Sequence, residues 1–191
     1  MSATAVDVLV KADHDKVNYL LSEYAKAPTT EVKQQLAYQI IRELAMHSSK
    51  EEEVLYPAVK SAFGTEEYEK LLEEHTELKK ALATLSSMNA DKSEAAFDAQ
   101  VASVKRIFEA HYKEEEDVEL PKLLKAEGVC KMKLGEEFEK AAAHAVTRPH
   151  TWAPDKAPLN KIANMMTAPL DAAADIIRFA GNVPSVNPPA V

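Results

Sequence analysis

The residues in this chain most able to do chemistry are histidines and glutamates that recur at one fixed spacing. His47 is followed by Glu51 four residues later, and His111 is followed by Glu115 at the same distance. Because four residues are just over one helical turn, each histidine and its glutamate project from one face of a helix. Imidazole nitrogen and carboxylate oxygen together suit metals such as iron, manganese or zinc. The chain therefore carries two copies of a metal-binding pair.

The duplication extends to two further histidines, each placed ahead of one pair. His14 follows Asp13, and His75 follows Glu74. A proline also follows each pair, ten residues after its histidine. Each half of the chain thus contains one histidine and then one histidine-x3-glutamate pair, which predicts a site for two metal ions between helices. The candidate metal ligands are His14, His47, Glu51, His75, His111 and Glu115.

Four helices must position these side chains, and apolar residues spaced by threes and fours predict all four. The first helix spans about Val6–Ala25. The second begins after a cap at Thr29 or Thr30, because a threonine hydroxyl can accept a hydrogen bond from the first turn. It passes Pro57 with a kink and ends at Gly64.

The third and fourth helices follow the same rules. Thr65 opens the third helix. Asp91, with Glu94 three residues later, has the pattern of a capping box and predicts the start of the fourth. Pro121 is expected to kink that helix, and Gly128 is expected to end it.

Every candidate ligand lies within the apolar stripe of its own helix. His14 fills a gap between Val10 and Val17, and the fourth-helix stripe continues through Glu115 to Val118. Burying an ionised carboxylate without a partner is very costly, so inward glutamates must be paired with cations or with metal. The residues expected on solvated faces are Lys50, Glu52, Glu53, Lys60, Lys113, Glu114 and Lys122.

The C-terminal third has a different character, and we predict residues 1–128 as the bundle and residues 129–191 as an appended segment. A short fifth helix is expected over Glu136–Val146, and His144 and His150 lie outside the duplicated frame. Seven of the ten prolines fall between 149 and 191. They predict an extended strap, with a helical piece near Pro169–Ala180, that packs on the bundle or docks on a partner. Its apolar residues are Trp152, Leu170, Ile176, Ile177 and Phe179.

Composition excludes several classes of partner. The chain has 31 acidic and 23 basic residues, a formal net charge of −8. This charge opposes binding to phosphate backbones and anionic lipid, so neither nucleic acid nor a membrane is expected as a partner. Cys130 is the single cysteine and cannot form an internal disulfide, which fits a reducing compartment. We expect a cytoplasmic monomer.

The six candidate ligands, in this order, resemble the hemerythrin family, in particular its HHE cation-binding branch, over about residues 6–126. The alternative ferritin-like pattern, a glutamate three residues before a histidine, is absent from the sequence. The resemblance implies an all-α, antiparallel four-helix bundle around two iron ions in an oxo- or hydroxo-bridged di-iron centre. It also implies that Glu51 and Glu115 bridge the irons and that two histidines bind each iron.

Two positions depart from the family's oxygen carriers. Those proteins have a fifth histidine one turn after the third-helix histidine, where this chain has Lys79. They also often take the last carboxylate one residue later, so Glu116 remains an alternative to Glu115. Fewer histidines leave more metal positions open, which favours looser metal binding and reaction with small ligands over reversible oxygen carriage.

Three functions remain open at this point. The favoured one is a non-haem di-iron protein that binds or senses dioxygen or a related small ligand, nitric oxide or peroxide. The alternatives are an oxidase or peroxidase type of enzyme that uses the open positions, and an iron store or iron-responsive adaptor. The sequence identifies no substrate pocket, so it does not decide whether the chain is an enzyme.

Overall fold

The computed structural model describes residues 4–149, and every regular element in that range is helical. The four long helices are α1 (Val6–Tyr24), α2 (Thr30–Phe63), α3 (Thr65–Ser87) and α4 (Glu94–Glu114). They are followed by a π-helical turn (Glu115–Glu119), α5 (Leu120–Leu123), α6 (Lys131–Ala141) and a 3₁₀ turn (Ala142–His144). No helix in this range has an apolar stretch of the length that a bilayer requires.

The first and fourth helices run in opposite directions. Near the start of α1, Lys11 Nζ lies 3.1 Å from Glu116 Oε2, just beyond the end of α4. At the other end of the bundle, the ring of Tyr24 stacks on that of Phe97 with centroids 6.4 Å apart. Short loops join successive helices. The predicted all-α four-helix bundle is confirmed.

The ends of α2 agree with the sequence. The backbone N–H of Val32 donates to Thr29 Oγ1 at 3.3 Å, which makes Thr29 the N-cap. Pro57 lies inside the helix, which continues for six further residues. Gly64 ends it with φ of 95°, a left-handed conformation that side chains other than hydrogen disfavour.

The start of α4 differs from the sequence prediction. Ser93 is the N-cap, and its hydroxyl accepts from the backbone N–H of Ala96 at 3.4 Å. Asp91, the predicted cap, instead accepts a hydrogen bond from the hydroxyl of Thr30 across the bundle end. The prediction failed because a contact between distant residues took the carboxylate that the local pattern assigned to the cap.

Two apolar clusters fill the bundle, one toward each end, and polar side chains lie between them. One cluster contains the ring of Phe97 and the second half of α1, and the other contains Tyr56 and the first turns of α1. The layer between them holds buried histidines and glutamates. The charged layer is thus closed off on both sides by close-packed hydrophobic residues.

Helix α6 adds to the second apolar cluster. It starts at Lys131 and ends at Ala141, so the predicted span Glu136–Val146 was placed five residues too late. Leu134 and Phe138 pack in the cluster that also contains Val6 and Val10 of α1. The strap predicted from residue 150 onward, with its tryptophan and helical piece, lies outside the described residues, and the boundary at residue 128 remains a prediction.

One glycine in α6 is required by close packing. A Cβ added at Gly135 would lie 1.9 Å from the carbonyl oxygen of Thr4 and 3.2 Å from the amide nitrogen of Val6. Both neighbours are backbone atoms, which cannot rotate away as a side chain would. The segment before α1 therefore lies directly against the surface of α6.

Candidate metal centre

The four predicted histidines meet at the centre of the bundle as two pairs. His14 Nε2 lies 3.2 Å from His47 Nε2. His75 Nε2 lies 3.2 Å from His111 Nε2. All four side chains are buried. Four helices therefore each present one imidazole nitrogen to the same interior layer.

Glu51 lies between the two histidine pairs. Its Oε1 is 3.2 Å from His47 Nε2. Its Oε2 is 3.2 Å from His75 Nε2 and 3.6 Å from His111 Nε2. The side chain is fully buried, and neither oxygen has a hydrogen-bond partner. One carboxylate thus faces both pairs with its two oxygens unused.

Glu115, rather than Glu116, faces the centre. Glu115 Oε2 lies 3.2 Å from His14 Nε2 and also has no hydrogen-bond partner. Glu116 instead places Oε1 at 2.8 Å from Nδ1 of the same histidine, on the outer side of the ring. The two neighbouring carboxylates therefore hold His14 from opposite sides.

The π-helical turn places these carboxylates. In a π-helix each hydrogen bond spans five residues instead of four, so the chain is rotated relative to an α-helix, a feature often found at functional sites. The turn begins at Glu115 and ends at Glu119, and it buries both side chains. Val118, which the sequence predicted in the apolar stripe, is 48% exposed. That prediction was wrong because it assumed an unbroken period of 3.6 residues.

The donor atoms form two groups that could each hold a metal ion. In each group the donor atoms lie within 4.8 Å of one another. Unpaired buried carboxylate oxygens and converging imidazole nitrogens are costly without a cation, so this donor set fits a metal pair that shares Glu51. The first group contains His14, His47, Glu51 and Glu115, and the second contains Glu51, His75 and His111.

An outer carboxylate faces the Nδ1 atom of every histidine in the centre. An ionised carboxylate can only accept a hydrogen bond, so a neutral imidazole bonded to one carries its proton on Nδ1 and turns the lone pair of Nε2 inward. This arrangement is typical of metal-ligating histidines. The Nδ1 distances are 2.8 Å for His14 to Glu116, 3.5 Å for His47 to Asp13, 2.9 Å for His75 to Glu52 and 3.2 Å for His111 to Glu74.

The role of these outer carboxylates was not predicted from the sequence. Glu52 was expected on a solvated face, whereas the residue is buried and bonded to His75. Glu53 was also expected in solvent, but its Oε2 lies 2.7 Å from His144 Nε2. The available signal was that an acidic residue directly precedes His14 and His75 and directly follows Glu51.

Each outer carboxylate is in turn paired with a lysine. Lys50 was predicted in solvent, but it is buried, bonds Asp13 and lies 4.5 Å above the ring centre of Phe138. Because α6 supplies that ring, the sequence of α2 alone could not show it. The other pairs are Lys11 with Glu116 at 3.1 Å, Lys70 with Glu74 at 3.7 Å and Lys79 with Glu52 at 2.9 Å.

Among the described residues, neither of the two inward glutamates is paired with a lysine in this way. Burial, and then the charge of Glu115, raises the pKa of Glu51 well above its usual range. Burial also lowers the pKa of His47 to about 4 and that of His75 well below its usual range. The low pKa values keep His47 and His75 neutral beside the buried Glu51. Neutral imidazoles can bind a cation, because metal ligands must be deprotonated.

Tyr56 is a further polar residue of the centre that the sequence analysis did not identify. Its hydroxyl lies 2.7 Å from His75 Nε2, and the side chain is 2% exposed. The equivalent residue of the second half is Leu120. Burial and nearby carboxylates raise the pKa of Tyr56, so the phenol keeps its proton and donates to His75. The signal was this difference between the two copies of an otherwise matching motif.

A cavity between α3 and α4 reaches the centre at His111. Its volume is about 480 Å³, and its other lining residues include Glu74, Ile107 and Ala110. His111 is the most exposed of the four histidines, at 5%. Burial opposes its charge, but the nearby carboxylates of Glu51 and Glu74, the latter a hydrogen-bond acceptor for Nδ1, raise its pKa well above the usual range.

Comparison with known proteins agrees with this geometry. The model of the hemerythrin HHE cation-binding domain matches residues 6–123, a range that contains all six candidate ligands. The chain belongs to this hemerythrin family. The family predicted from the sequence is therefore confirmed, and the matched range contains a His/Glu cluster that could bind metal.

Two curated proteins are similar to this chain in sequence. A hemerythrin-like protein of Schizosaccharomyces pombe is 28% identical over 180 residues, which are 91% of this chain and 87% of that protein. A DNA nickase of Nostoc sp. is 32% identical over 108 residues, 56% of this chain. This chain spans only 30% of the length of the nickase. No solved structure matches the chain.

Proposed function

We propose that this chain is a non-haem di-iron protein that binds or senses dioxygen or a related small ligand such as nitric oxide or peroxide. The proposed ligands are His14 and His47 at the first iron, and His75 and His111 at the second. Glu51 would bridge the two irons, and Glu115 would complete the first position. When bound, the iron pair would supply redox-active metal to which a small ligand can attach.

The observation that carries the proposal is the pair of carboxylates inside the bundle. Three buried oxygens of Glu51 and Glu115 have no hydrogen-bond partner, and four imidazole nitrogens converge on them. A purely structural network of this depth would satisfy its own polar atoms. A metal pair would supply the missing positive charge and use the free lone pairs.

The donor set limits the choice of metal, and the family favours iron within that choice. Two carboxylates and four imidazoles suit iron, manganese or zinc, and the hemerythrin family resemblance favours iron among these. The protein supplies fewer donors than the roughly twelve positions of two octahedral metals. Positions left open, together with the cavity beside His111, support binding of a small exogenous ligand.

The first experiment measures metal content. The full chain, purified from cells supplied with iron, is expected to carry close to two irons by elemental analysis. His47→Ala or His111→Ala is expected to abolish this, and His144→Ala, which lies outside the centre, is the control. At most one metal per chain, or no loss in the first two variants, would contradict a paired site.

The second experiment removes the metal and then tests its ligand chemistry. A chelator is expected to lower the melting temperature, because a ligand that binds only the folded chain stabilises it by mass action. Absorption spectra of the reduced protein, mixed anaerobically with dioxygen, nitric oxide or peroxide, are expected to change on ligand binding. Turnover of peroxide would favour the enzyme alternative, and no spectral change would favour an iron store or adaptor.

The nickase activity of the Nostoc relative is not proposed for this chain. The match covers a minor part of that protein, and the present chain has a net charge of −8. Such a charge repels a phosphate backbone. The candidate centre is also buried, so a strand of nucleic acid has no direct access to it.

A further inference from the structure

The two metal positions have unequal sets of donors. The first has two histidines and two carboxylates, whereas the second has His75, His111 and only one carboxylate, Glu51. Glu115 belongs to the first group alone. One strong oxygen donor is therefore missing from the second position, and Tyr56 lies beside that position.

The position of the Tyr56 hydroxyl matches that of a neighbouring donor around one ion. Adjacent donors around an octahedral ion, at bond lengths of about 2.1 Å, lie roughly 3 Å apart. His75 Nε2 lies 3.2 Å from His111 Nε2 and 3.2 Å from Glu51 Oε2. The same nitrogen lies 2.7 Å from the Tyr56 oxygen. The phenol oxygen thus lies about as far from His75 Nε2 as the proposed ligand atoms of His111 and Glu51 do.

Metal binding would also deprive Tyr56 of its present partner. The hydroxyl donates to His75 Nε2, whose lone pair is the one that a metal ion would take. Nδ1 of that histidine is already bonded to Glu52, so it cannot serve as a replacement acceptor. A buried hydroxyl left without a partner is unfavourable, and coordination through oxygen removes that cost.

We infer that the phenol oxygen of Tyr56 is a ligand of the metal ion held by His75 and His111, an inference that rests on the proposed metal-binding function. As the oxygen–metal bond forms, the O–H bond breaks and the proton leaves to solvent. No electron is transferred in this step. Tyrosine is an established ligand of iron in other proteins.

Coordination by Tyr56 would make the two metal positions chemically different. Leu120, the counterpart of Tyr56, has no donor atom and packs in the apolar cluster. The first position is completed by Glu115 and the second by Tyr56. We expect the second ion, bound by an anionic oxygen that favours the oxidised metal, to be the one oxidised more readily.

The experiment is visible absorption and resonance Raman spectroscopy of the full chain loaded with iron(III). A bound phenolate gives a charge-transfer band in the visible region and enhanced ring vibrations on excitation into that band. We expect both in the unaltered chain, and we expect Tyr56→Phe to lose both. Tyr56→Phe is also expected to release iron to a chelator about tenfold faster or more.

The matched control is Tyr112→Phe. The ring of Tyr112 lies 5.3 Å from that of His14, at the opposite end of the centre, and its hydroxyl is not expected to touch the metal. The control should keep the band and release iron within about twofold of the unaltered chain. Because the Raman signal is recorded on the unaltered chain, the test does not depend on whether Tyr56→Phe folds.

The outcomes separate this inference from the function on which it rests. An iron-loaded chain without phenolate vibrations would overturn the role of Tyr56 and leave the di-iron proposal intact. A band that survives Tyr56→Phe would overturn it as well. A chain that takes up no iron would overturn both. A band lost in Tyr56→Phe and kept in Tyr112→Phe supports the assignment.

Discussion

Glu116, which follows the fourth helix, orients His14 of the first helix: Oε1 of the carboxylate lies 2.8 Å from Nδ1 of the imidazole. Lys11, one turn before His14, bonds the other oxygen of the same carboxylate at 3.1 Å. These contacts connect the first helix to the segment after the fourth helix at one proposed metal position. It also gives the centre an outer shell that can be altered without touching a proposed ligand.

Replacing Glu116 by glutamine is expected to weaken metal retention by about 10–100-fold, the usual effect of losing an outer partner of a ligating histidine. The amide keeps the shape of the side chain but loses the charge that fixes the proton on Nδ1. Rates of iron release to a chelator provide the measurement. Glu114→Gln, two residues away and half exposed, is the control. Equal release rates for the two variants would count against an orienting role.

Lys79 is expected to act through Glu52 rather than on the metal itself. Its Nζ lies 2.9 Å from Glu52 Oε2, and that carboxylate bonds His75. Lys79→Met removes the cation, so the buried Glu52 carboxylate loses its charged partner. We therefore expect the free energy of unfolding to fall by about 1–3 kcal/mol. Urea unfolding gives the value, and Lys80→Met is the exposed control. Unchanged stability together with unchanged iron content would contradict the proposed link.

Glu119 is expected to make the metal-free protein less stable as pH rises. Burial raises its pKa from 4.5 to about 7, so the folded chain holds a proton that the unfolded chain has lost. Its contribution is fully present below pH 4.5 and is lost as pH rises through 7. The Glu119→Gln variant should therefore be more stable than the unaltered chain by about 1 kcal/mol at pH 8. At about pH 4 the two proteins should differ little in stability.

The measurement for Glu119 is the melting temperature of chelator-treated protein across that pH range. Glu127→Gln, an exposed position, is the matched control and should follow the unaltered chain. A Glu119→Gln variant with the same pH profile as the control would show that Lys70, 3.5 Å away, already holds the carboxylate ionised.

Gly135→Ala tests the contact between α6 and the segment before α1. Alanine favours helix over glycine by about 1 kcal/mol, so an open site would be stabilised. Here the added carbon would lie 1.9 Å from the carbonyl oxygen of Thr4, and we expect a net loss of about 1–3 kcal/mol. Denaturant unfolding measures the change, with Glu136→Ala as the exposed control. A more stable Gly135→Ala variant would mean that the N-terminal segment detaches readily.

Much of the inner layer could be predicted because two periodic signals coincide in it. Each half of the chain contains one histidine followed by one histidine-x3-glutamate pair. All of these residues also fall on the apolar stripe of their helix. Either signal alone would have been weak, since single buried histidines are common. Together they indicated which side chains face inward, and the described structure brings all six into one buried layer.

The outer layer could not be predicted in the same way. Glu52 and Lys50 lie beside the stripe, where a helical pattern predicts solvent, and they are buried by neighbouring helices. Their burial depends on how α3 and α6 pack, which no spacing within α2 records. The π-helical turn escaped prediction because a periodic pattern assumes an unbroken α-helix, and the five-residue hydrogen bonds of Glu115–Glu119 rotate the chain away from it.

The outer carboxylates connect the halves of the chain in a crosswise pattern. Within their own halves, Asp13 lies 3.5 Å from Nδ1 of His47 and Glu74 accepts a hydrogen bond from His111. The residues after the inward glutamates, Glu52 and Glu116, instead bond the first histidine of the opposite half. The chain is therefore equivalent to two self-complementary helical hairpins joined covalently. We expect that a hairpin paired with an identical copy would form the same contacts around two identical metal positions. Joining the hairpins in one chain allows each position to be altered independently, as tyrosine on one side and leucine on the other illustrate.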